Sequence, residues 1–285
     1  MTDRACLAGV TVGDGLDVAV VGALNVSPES FYRGSIATQA DHLLRAAEAM
    51  AGAGAAFVDV GAMSTAPYLA ARIEESQEAD RLAWAVDLLV TKLGLPVSAD
   101  TSRRRPARAA LDAGARIIND VTGLAGDAEM ARELAGRADV GLILMASERG
   151  ARGARDPIAV VSDALAESLA VARAAGIDES RIVVDPGIGF FRHQGMAWHA
   201  WDATVLGRLR ELRALRRPIG IGVSRKSFIG AFTGEDDPAR RLPGSLAAAA
   251  MAVLHGARLI RAHDVAETVQ AVKVAQAVCR AREGR

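Results

Sequence analysis

The sequence predicts an α/β fold, a single (β/α)8 TIM barrel with a short N-terminal hairpin, and three observations lead there. Eight short β-branched runs alternate with Ala/Leu-rich stretches of helical period. Such alternation with short connections means parallel strands covered by helices. The chain has 285 residues and no internal linker, a length that suits closure of eight such units into one domain over 1–285. Six of the runs end in a polar residue, at Asn25, Asp59, Asp100, Asn119, Asp185 and Ser224, and a barrel would gather these ends on one face. The alternative is an open doubly wound sheet, but no GxGxxG follows the first strand.

The elements follow in order. Asp14-Gly15, between VTV and LDVAVV, is a hairpin signal, and a small hairpin would plug one end of the barrel. The first strand is read over 17–24 and the second over 56–60. The helix between them, about 38–54, carries Leu43, Leu44, Ala47 and Met50 on one face. Helix two, about 72–93, stops at Gly94, and Pro96 opens strand three, 97–99. Helix three (about 105–113), strand four (116–118), helix four (about 128–136) and strand five (140–144) come next. A Gly- and Arg-rich loop, 147–157, leads to helix five, about 158–175. Strand six, 182–184, ends at Asp185, and Pro186, Gly187 and Gly189 bend the loop beyond it. Helix six (about 201–215), strand seven (219–223), helix seven (243–255), strand eight (258–260) and helix eight (about 266–280) complete the series.

Composition narrows the function. The 34 basic and 34 acidic side chains cancel, which argues against a general nucleic-acid or membrane-surface binder while leaving room for a local cationic pocket. The apolar runs are broken before they reach bilayer length. Cys6 and Cys279 show no CxxC spacing, as expected in a reducing compartment. These features predict a cytoplasmic protein that acts on small molecules.

Two groups of residues at the strand ends carry candidate chemistry. Asp100, Asn119, Asp185 and Lys226 can together read the edge of a planar heterocycle such as a 2-amino-4-oxo-pteridine. A carboxylate accepts paired N–H donors, an amide offers one donor and one acceptor, and an ammonium donates to a carbonyl. The competing reading is that the Asp and Asn residues only cap the following helices. Ser224, Arg225, Lys226 and Ser227 after strand seven, with Arg261 and His263 after strand eight, stand where barrels often bind phosphate. Here the competing reading pairs Arg225 with a neighbouring carboxylate and makes His263 a cap with Asp264. Sugar phosphates stay open as ligands.

The segments VVGALNVSPESF, FVDVGAMST, SADTSRRRPARAALDAGARIINDVTGL, RIVVDPGIGF, GVSRKSFIG and GSLAAAAMAVLHGARLIRAHDV resemble, in order, the motifs of the dihydropteroate synthase family over nearly the whole chain. The resemblance implies condensation of 6-hydroxymethyl-dihydropterin pyrophosphate with an arylamine and release of pyrophosphate. It implies that Asp100, Asn119, Asp185 and Lys226 hold the pterin, with Asp185, Lys226, Arg261 and His263 acting in catalysis. Asn25 would contact pyrophosphate or its Mg²⁺, and Arg261 and His263 would grip the pyrophosphate. Thr65 would lie in the second loop, and Ser227 on the side where the arylamine enters. Helices seven and eight resemble the family's dimer surface, which implies a homodimer.

The chain departs from the family pattern in three loops. Ser64-Thr65-Ala66-Pro67 lacks the family's Arg, Met145 is followed by Ala146 instead of His, and the first loop reads Tyr32-Arg33-Gly34-Ser35. These changes, with Arg33, Arg149, Arg152 and Arg155 as sources of charge, point to a larger or phosphorylated arylamine such as the ribosylated aminobenzene phosphate of the methanopterin pathway. Two other functions compete: a pterin-dependent methyltransferase serving a corrinoid partner, and a catalytically silent pterin-binding homologue. His193 and His199, with no nearby Cys, do not make a zinc site, and Trp198 and Trp201 are read as packing helix six.

Overall fold

The computed structural model describes residues 3–26, 36–63, 73–148 and 156–282. Two four-residue strands come first, β1 (Arg4–Leu7) and β2 (Val10–Gly13), paired antiparallel with Leu7 opposite Val10. Their turn is Ala8-Gly9, where both residues have positive φ, 51° and 87°. This is the backbone that a two-residue hairpin needs to match strand twist. The hairpin therefore closes one turn earlier than the Asp14-Gly15 signal placed it. Asp14 instead fastens the way into the barrel: its carboxylate accepts from Arg213 at 2.6 Å and from Arg258 at 3.0 and 3.1 Å.

Eight parallel strands then close into a barrel: β3 (Ala19–Asn25), β4 (Phe57–Gly61), β5 (Val97–Asp100), β6 (Ile117–Asp120), β7 (Gly141–Met145), β8 (Ile182–Asp185), β9 (Ile219–Gly222) and β10 (Ala257–Ala262). β10 pairs with both β9 and β3, so the sheet has no edge. The helices, in chain order, are α1 (Ile36–Gly52), α2 (Glu75–Leu93), α3 (Arg104–Asp112), α4 (Ala128–Ala135), α5 (Pro157–Ala174), α6 (Trp198–Gly207), α7 (Ser227–Thr233), α8 (Leu242–Leu254) and α9 (Val265–Arg282). Most boundaries shift by only one to three residues, and three differences are larger or bear on the site. The predicted helix six ends at Gly207 and continues as 3-10 turns over Leu209–Leu215. The short helix α7 occupies a stretch that had no element assigned. Strand eight runs two residues further than expected, so Arg261 belongs to the strand and not to the loop after it. Among the described residues, no helix is long and apolar enough to cross a membrane.

Side chains alternate between the two faces of each strand. Outward residues such as Val20, Val58, Val60, Leu142 and Val184 join the helices in the larger core. Inward residues Val21, Phe57, Ile117, Ile143, Val183 and Leu259 form a second cluster with Ala5, Leu7 and Val12 of the hairpin. Leu7 is fully buried there, and a Cβ on Gly141 would stand 2.8 Å from its Cα, so the glycine is what lets the hairpin seat. The hairpin thus plugs the N-terminal end of the barrel. Two residues further along the strands, the same inward face presents Asp59, Asn119, Met145, Asp185 and Arg261 at the other end. Leu7→Ala is expected to lower the unfolding free energy by about 2–5 kcal/mol in urea titrations; a loss below about 0.5 kcal/mol would mean that the plug does not stabilise the barrel.

Candidate active site

Strand register sets the floor of the site. Asn25, Gly61, Asp100 and Asn119 are consecutive neighbours across β3, β4, β5 and β6. A side chain on Gly61 would begin 3.5 Å from Asn25 Oδ1 and 3.6 Å from Asp100 Oδ2. The centre of the floor is Asp59, fully buried on β4. Its Oδ2 accepts from Arg261 Nε at 2.5 Å and from Asn119 Nδ2 at 3.0 Å, while Arg261 Nη2 donates to Asp100 Oδ2 at 3.0 Å. One guanidinium therefore ties three strands together through two carboxylates. The resemblance gave Asp59 no role. The signal was present, because a carboxylate inside the apolar run FVDVG must be buried, and two residues from Phe57 it faces inward.

The capping alternative resolves by position. Asp120, next to Asn119 and on the opposite face, takes the loop: its carboxylate accepts from the backbone N–H of Thr122 and of Leu124, both at 2.7 Å. Asn119 is left for the mouth. Beyond Asp100, the buried Glu78 of α2 accepts from Thr101 Oγ1 at 2.5 Å and from Arg103 Nη1 at 3.0 Å, which fixes the loop after β5. Burial raises the pKa of Glu78 against the pull of Thr101 and Arg103.

The wall comes from the loops after β8 and β9. Asp185 Oδ1 accepts from Gly187 N at 2.7 Å. Gly187 has φ 74°, and a Cβ there would meet Ala146 O at 2.1 Å, so only glycine lets this loop lie against the end of β7. Lys226 passes Gly189 and brings its ammonium to 4.6 Å from the centre of the Phe190 ring, within cation–π range. Its position depends on Arg225, which adopts a left-handed backbone at φ 58°. Asp264 holds the Arg225 guanidinium at 2.6 and 3.1 Å, and Ser245 Oγ accepts its N–H at 2.9 Å. Arg225 is thus paired with a carboxylate, the competing reading of the sequence. His263 Nδ1 lies 3.0 Å from Ser224 Oγ. Ser227 Oγ accepts from Arg192 at 2.8 Å. Arg33 and Thr65 lie outside the described residues, as do Arg149, Arg152 and Arg155.

Burial dominates the electrostatics. It raises the pKa of Asp185 to about 6, against the Gly187 N–H and Lys226. Asp100 rises to about 7, with Arg261 opposing and Asp59 adding to the rise. Lys226 falls to about 8 in spite of Asp185. His263 falls to about 4, helped by Arg261 and Arg225, so at neutral pH it offers a hydrogen bond and no charge. Asp59 Oδ1 and Asp100 Oδ1 are buried and have no hydrogen-bond partner among the described residues. Leaving such an acceptor unmatched costs roughly 1–3 kcal/mol, and a ligand edge with N–H donors would remove that cost. Trp201 is buried and stacks on Phe191 with centroids 5.2 Å apart, a packing role as expected.

A closed parallel barrel with convergent acids, an amide and a lysine at the C-terminal mouth defines an enzyme built to bind a donor-rich planar ring. The family model for pterin binding enzymes matches residues 21–263. The dihydropteroate synthase of Mycobacterium leprae is 40% identical over 269 residues, which is 90% of this chain and 92% of that protein. A crystal structure of dihydropteroate synthase from Clostridium difficile with pteroic acid superposes with a TM-score of 0.85 at 31% identity, covering 93% of this chain and 97% of the other. The Xanthomonas albilineans dihydropteroate synthase with 4-aminobenzoic acid gives 0.84 at 35% identity, covering 98% of each. The chain belongs to the dihydropteroate synthase family of pterin binding enzymes.

Two measurements check this geometry. A ligand edge that offers N–H donors and a carbonyl to this mouth needs Asp100 and Asp185 ionised and Lys226 charged. The affinity for the pterin substrate should fall as pH drops through about 7 and about 6, where Asp100 and Asp185 take up protons, and again as it rises through about 8, and Asp185→Asn should leave only the Asp100 part of the acid limb; a flat profile in calorimetry would contradict the assignment. Asp59→Ala strips one carboxylate from a buried ion network and should destabilise the fold by about 3–5 kcal/mol, read by chemical denaturation.

Proposed function

We propose that the protein condenses 6-hydroxymethyl-7,8-dihydropterin pyrophosphate with an arylamine to give a dihydropteroate and pyrophosphate, within a single pterin-binding domain. The observation that carries this reading is the set of buried acceptors on Asp59, Asp100, Asn119 and Asp185 facing Lys226 in the mouth of a family member. The amino and ring N–H groups of the pterin donate to the carboxylates, and Lys226 donates to its carbonyl. The ring then lies with its methylene toward the opening. As the C–O bond breaks, the pair of electrons leaves with pyrophosphate and positive charge spreads from the methylene into the ring. Asp185 stabilises that charge. The neutral arylamine nitrogen attacks the methylene and loses a proton, so no covalent enzyme intermediate is needed.

Arg261 is held by two carboxylates and acts mainly as the keystone of the pterin floor. His263 contributes an N–H toward the leaving group. For Mg²⁺, the protein offers one neutral amide oxygen, Asn25, at the exposed end of β3. No cluster of three His, Cys, Asp or Glu side chains exists among the described residues. A metal held by one protein oxygen, water and pyrophosphate oxygens fits the habit of Mg²⁺; when bound it would neutralise charge on the leaving group. Met251 on α8 and Val274 and Val278 on α9 are exposed apolar residues and support a homodimer through these helices. Two free cysteines support a cytoplasmic location.

For the amine, the relative bound to 4-aminobenzoic acid favours a 4-aminobenzoate. The arginines that favoured a phosphorylated arylamine are all outside the described residues. Incubation of the pterin pyrophosphate with both amines, followed by mass spectrometry, decides between them: the mass of dihydropteroate and equimolar pyrophosphate are expected. No pyrophosphate release with any arylamine would leave binding alone and overturn the reading. Lys226→Ala and Asp185→Asn should each lower kcat/KM by about 10²–10³-fold with unchanged circular dichroism.

A further inference from the structure

One buried carboxylate lies outside the barrel wall and touches none of the groups that face the mouth. Glu78 is 1% exposed and stands on the core-facing side of α2 with Ala79, Leu82 and Val86. An acid buried in such a place costs stability unless it is matched, and an apolar side chain would pack the helix without that cost. Both groups that match it come from the loop after β5. Thr101 Oγ1 donates to Oε1 at 2.5 Å, and Arg103 Nη1 donates to Oε2 at 3.0 Å.

The position of Thr101 gives this contact its interest. It directly follows Asp100, which faces into the barrel beside Gly61, so alternation turns Thr101 toward α2. Its backbone N–H donates to Asn119 O at 3.1 Å, and its hydroxyl accepts from Arg103 N at 3.2 Å. Arg103 Nη1 also donates to Ile73 O at 2.9 Å, where the chain enters α2, and Arg105 N donates to Glu75 Oε1 at 3.4 Å. The residue after Asp100 is therefore tied to α2 on one side and to the strand of Asn119 on the other. Asp100 itself is held within the mouth only through Oδ2, by Arg261, while its buried Oδ1 has no partner among the described residues. An unmatched acceptor gains by turning toward water. A strand end fixed at the next residue opposes that turn.

We propose that Glu78 is a positioning residue for the pterin site: by holding Thr101 it fixes the direction of Asp100 and its spacing from Asn119, so that Asp100 Oδ1 stays aimed at the N–H edge of the ring. This rests on the synthase reading above and adds a residue outside the pocket on which pterin affinity depends. The buried acid is retained because it orients the ligand-binding one, a support that pre-organises the site before the ring arrives.

Calorimetry with pterin pyrophosphate and steady-state kinetics on Thr101→Val, Thr101→Ser and Glu78→Gln test it. Thr101→Val keeps the shape and loses the hydroxyl, and should raise the dissociation constant for pterin pyrophosphate about tenfold while the KM for 4-aminobenzoate stays within about twofold. Thr101→Ser restores the hydroxyl and should return the affinity to within about twofold of wild type. Glu78→Gln keeps an acceptor for Thr101 but turns an N–H toward Arg103, and should fall between the two. Asp100→Asn keeps an acceptor and so a measurable affinity; in that background Thr101→Val should add less than about twofold, because the acid it positions is gone. Wild-type affinity in Thr101→Val, or the same loss with and without Asp100, would overturn the inference while the synthase reading stands. A wild-type protein that binds no pterin pyrophosphate would overturn the synthase reading itself. If Thr101→Val does not fold by circular dichroism, Glu78→Gln enters the cycle in its place with the same expectations.

Discussion

The ion network of Arg261 with Asp59 and Asp100 is the constraint on which the rest of the mouth depends. Two buried carboxylates on adjacent strands would repel each other in a low-dielectric interior. The guanidinium from β10 lies between them, and Asn119 donates to the same Asp59 oxygen. This links strands from the beginning, middle and end of the chain at one point. It also orients Asp59 and Asp100 so that one oxygen of each is kept for hydrogen bonds outside the network. Replacing the network by apolar side chains would relieve desolvation and destroy the pattern of acceptors.

The same burial has a thermodynamic consequence. Asp185 has a folded-state pKa near 6, and so has Asp202, where burial outweighs the Gly189 N–H. Both lie above the ordinary carboxylate range. Ionising them therefore works against the fold as pH rises from about 4 through about 6, and protonation on the acid side relieves it. A ligand that supplies hydrogen-bond donors offsets this cost at neutral pH. Binding strength and local instability arise from one arrangement, as is common where function competes with stability.

Much of this was legible in the sequence. The β/α alternation and the polar strand ends were enough for a barrel with its chemistry at one mouth. Asp100, Asn119, Asp185 and Arg261 do lie at that mouth, because inward positions recur every two residues along each strand, and Lys226 reaches it from the loop after β9. Other features were hidden for physical reasons. The bond from Arg261 to Asp59 joins the last strand of the barrel to its second, and no spacing within either segment announces it. The commitment of Arg225 to Asp264 joins residues far apart in the chain, and only the fold brings them together. The hairpin turn went to Ala8-Gly9 because the segment after Asp14-Gly15 had a better partner in the barrel than in β2. Helix α7 is too short for its period to show.

The seating of Leu7 beneath the ring of inward side chains has one more implication. A barrel stoppered at its base is a cup and not a tunnel. Whatever settles deepest must arrive first, and it can depart only after everything above it has gone. The order in which two reactants enter, and two products escape, is thereby written into the architecture before any side chain at the rim takes part.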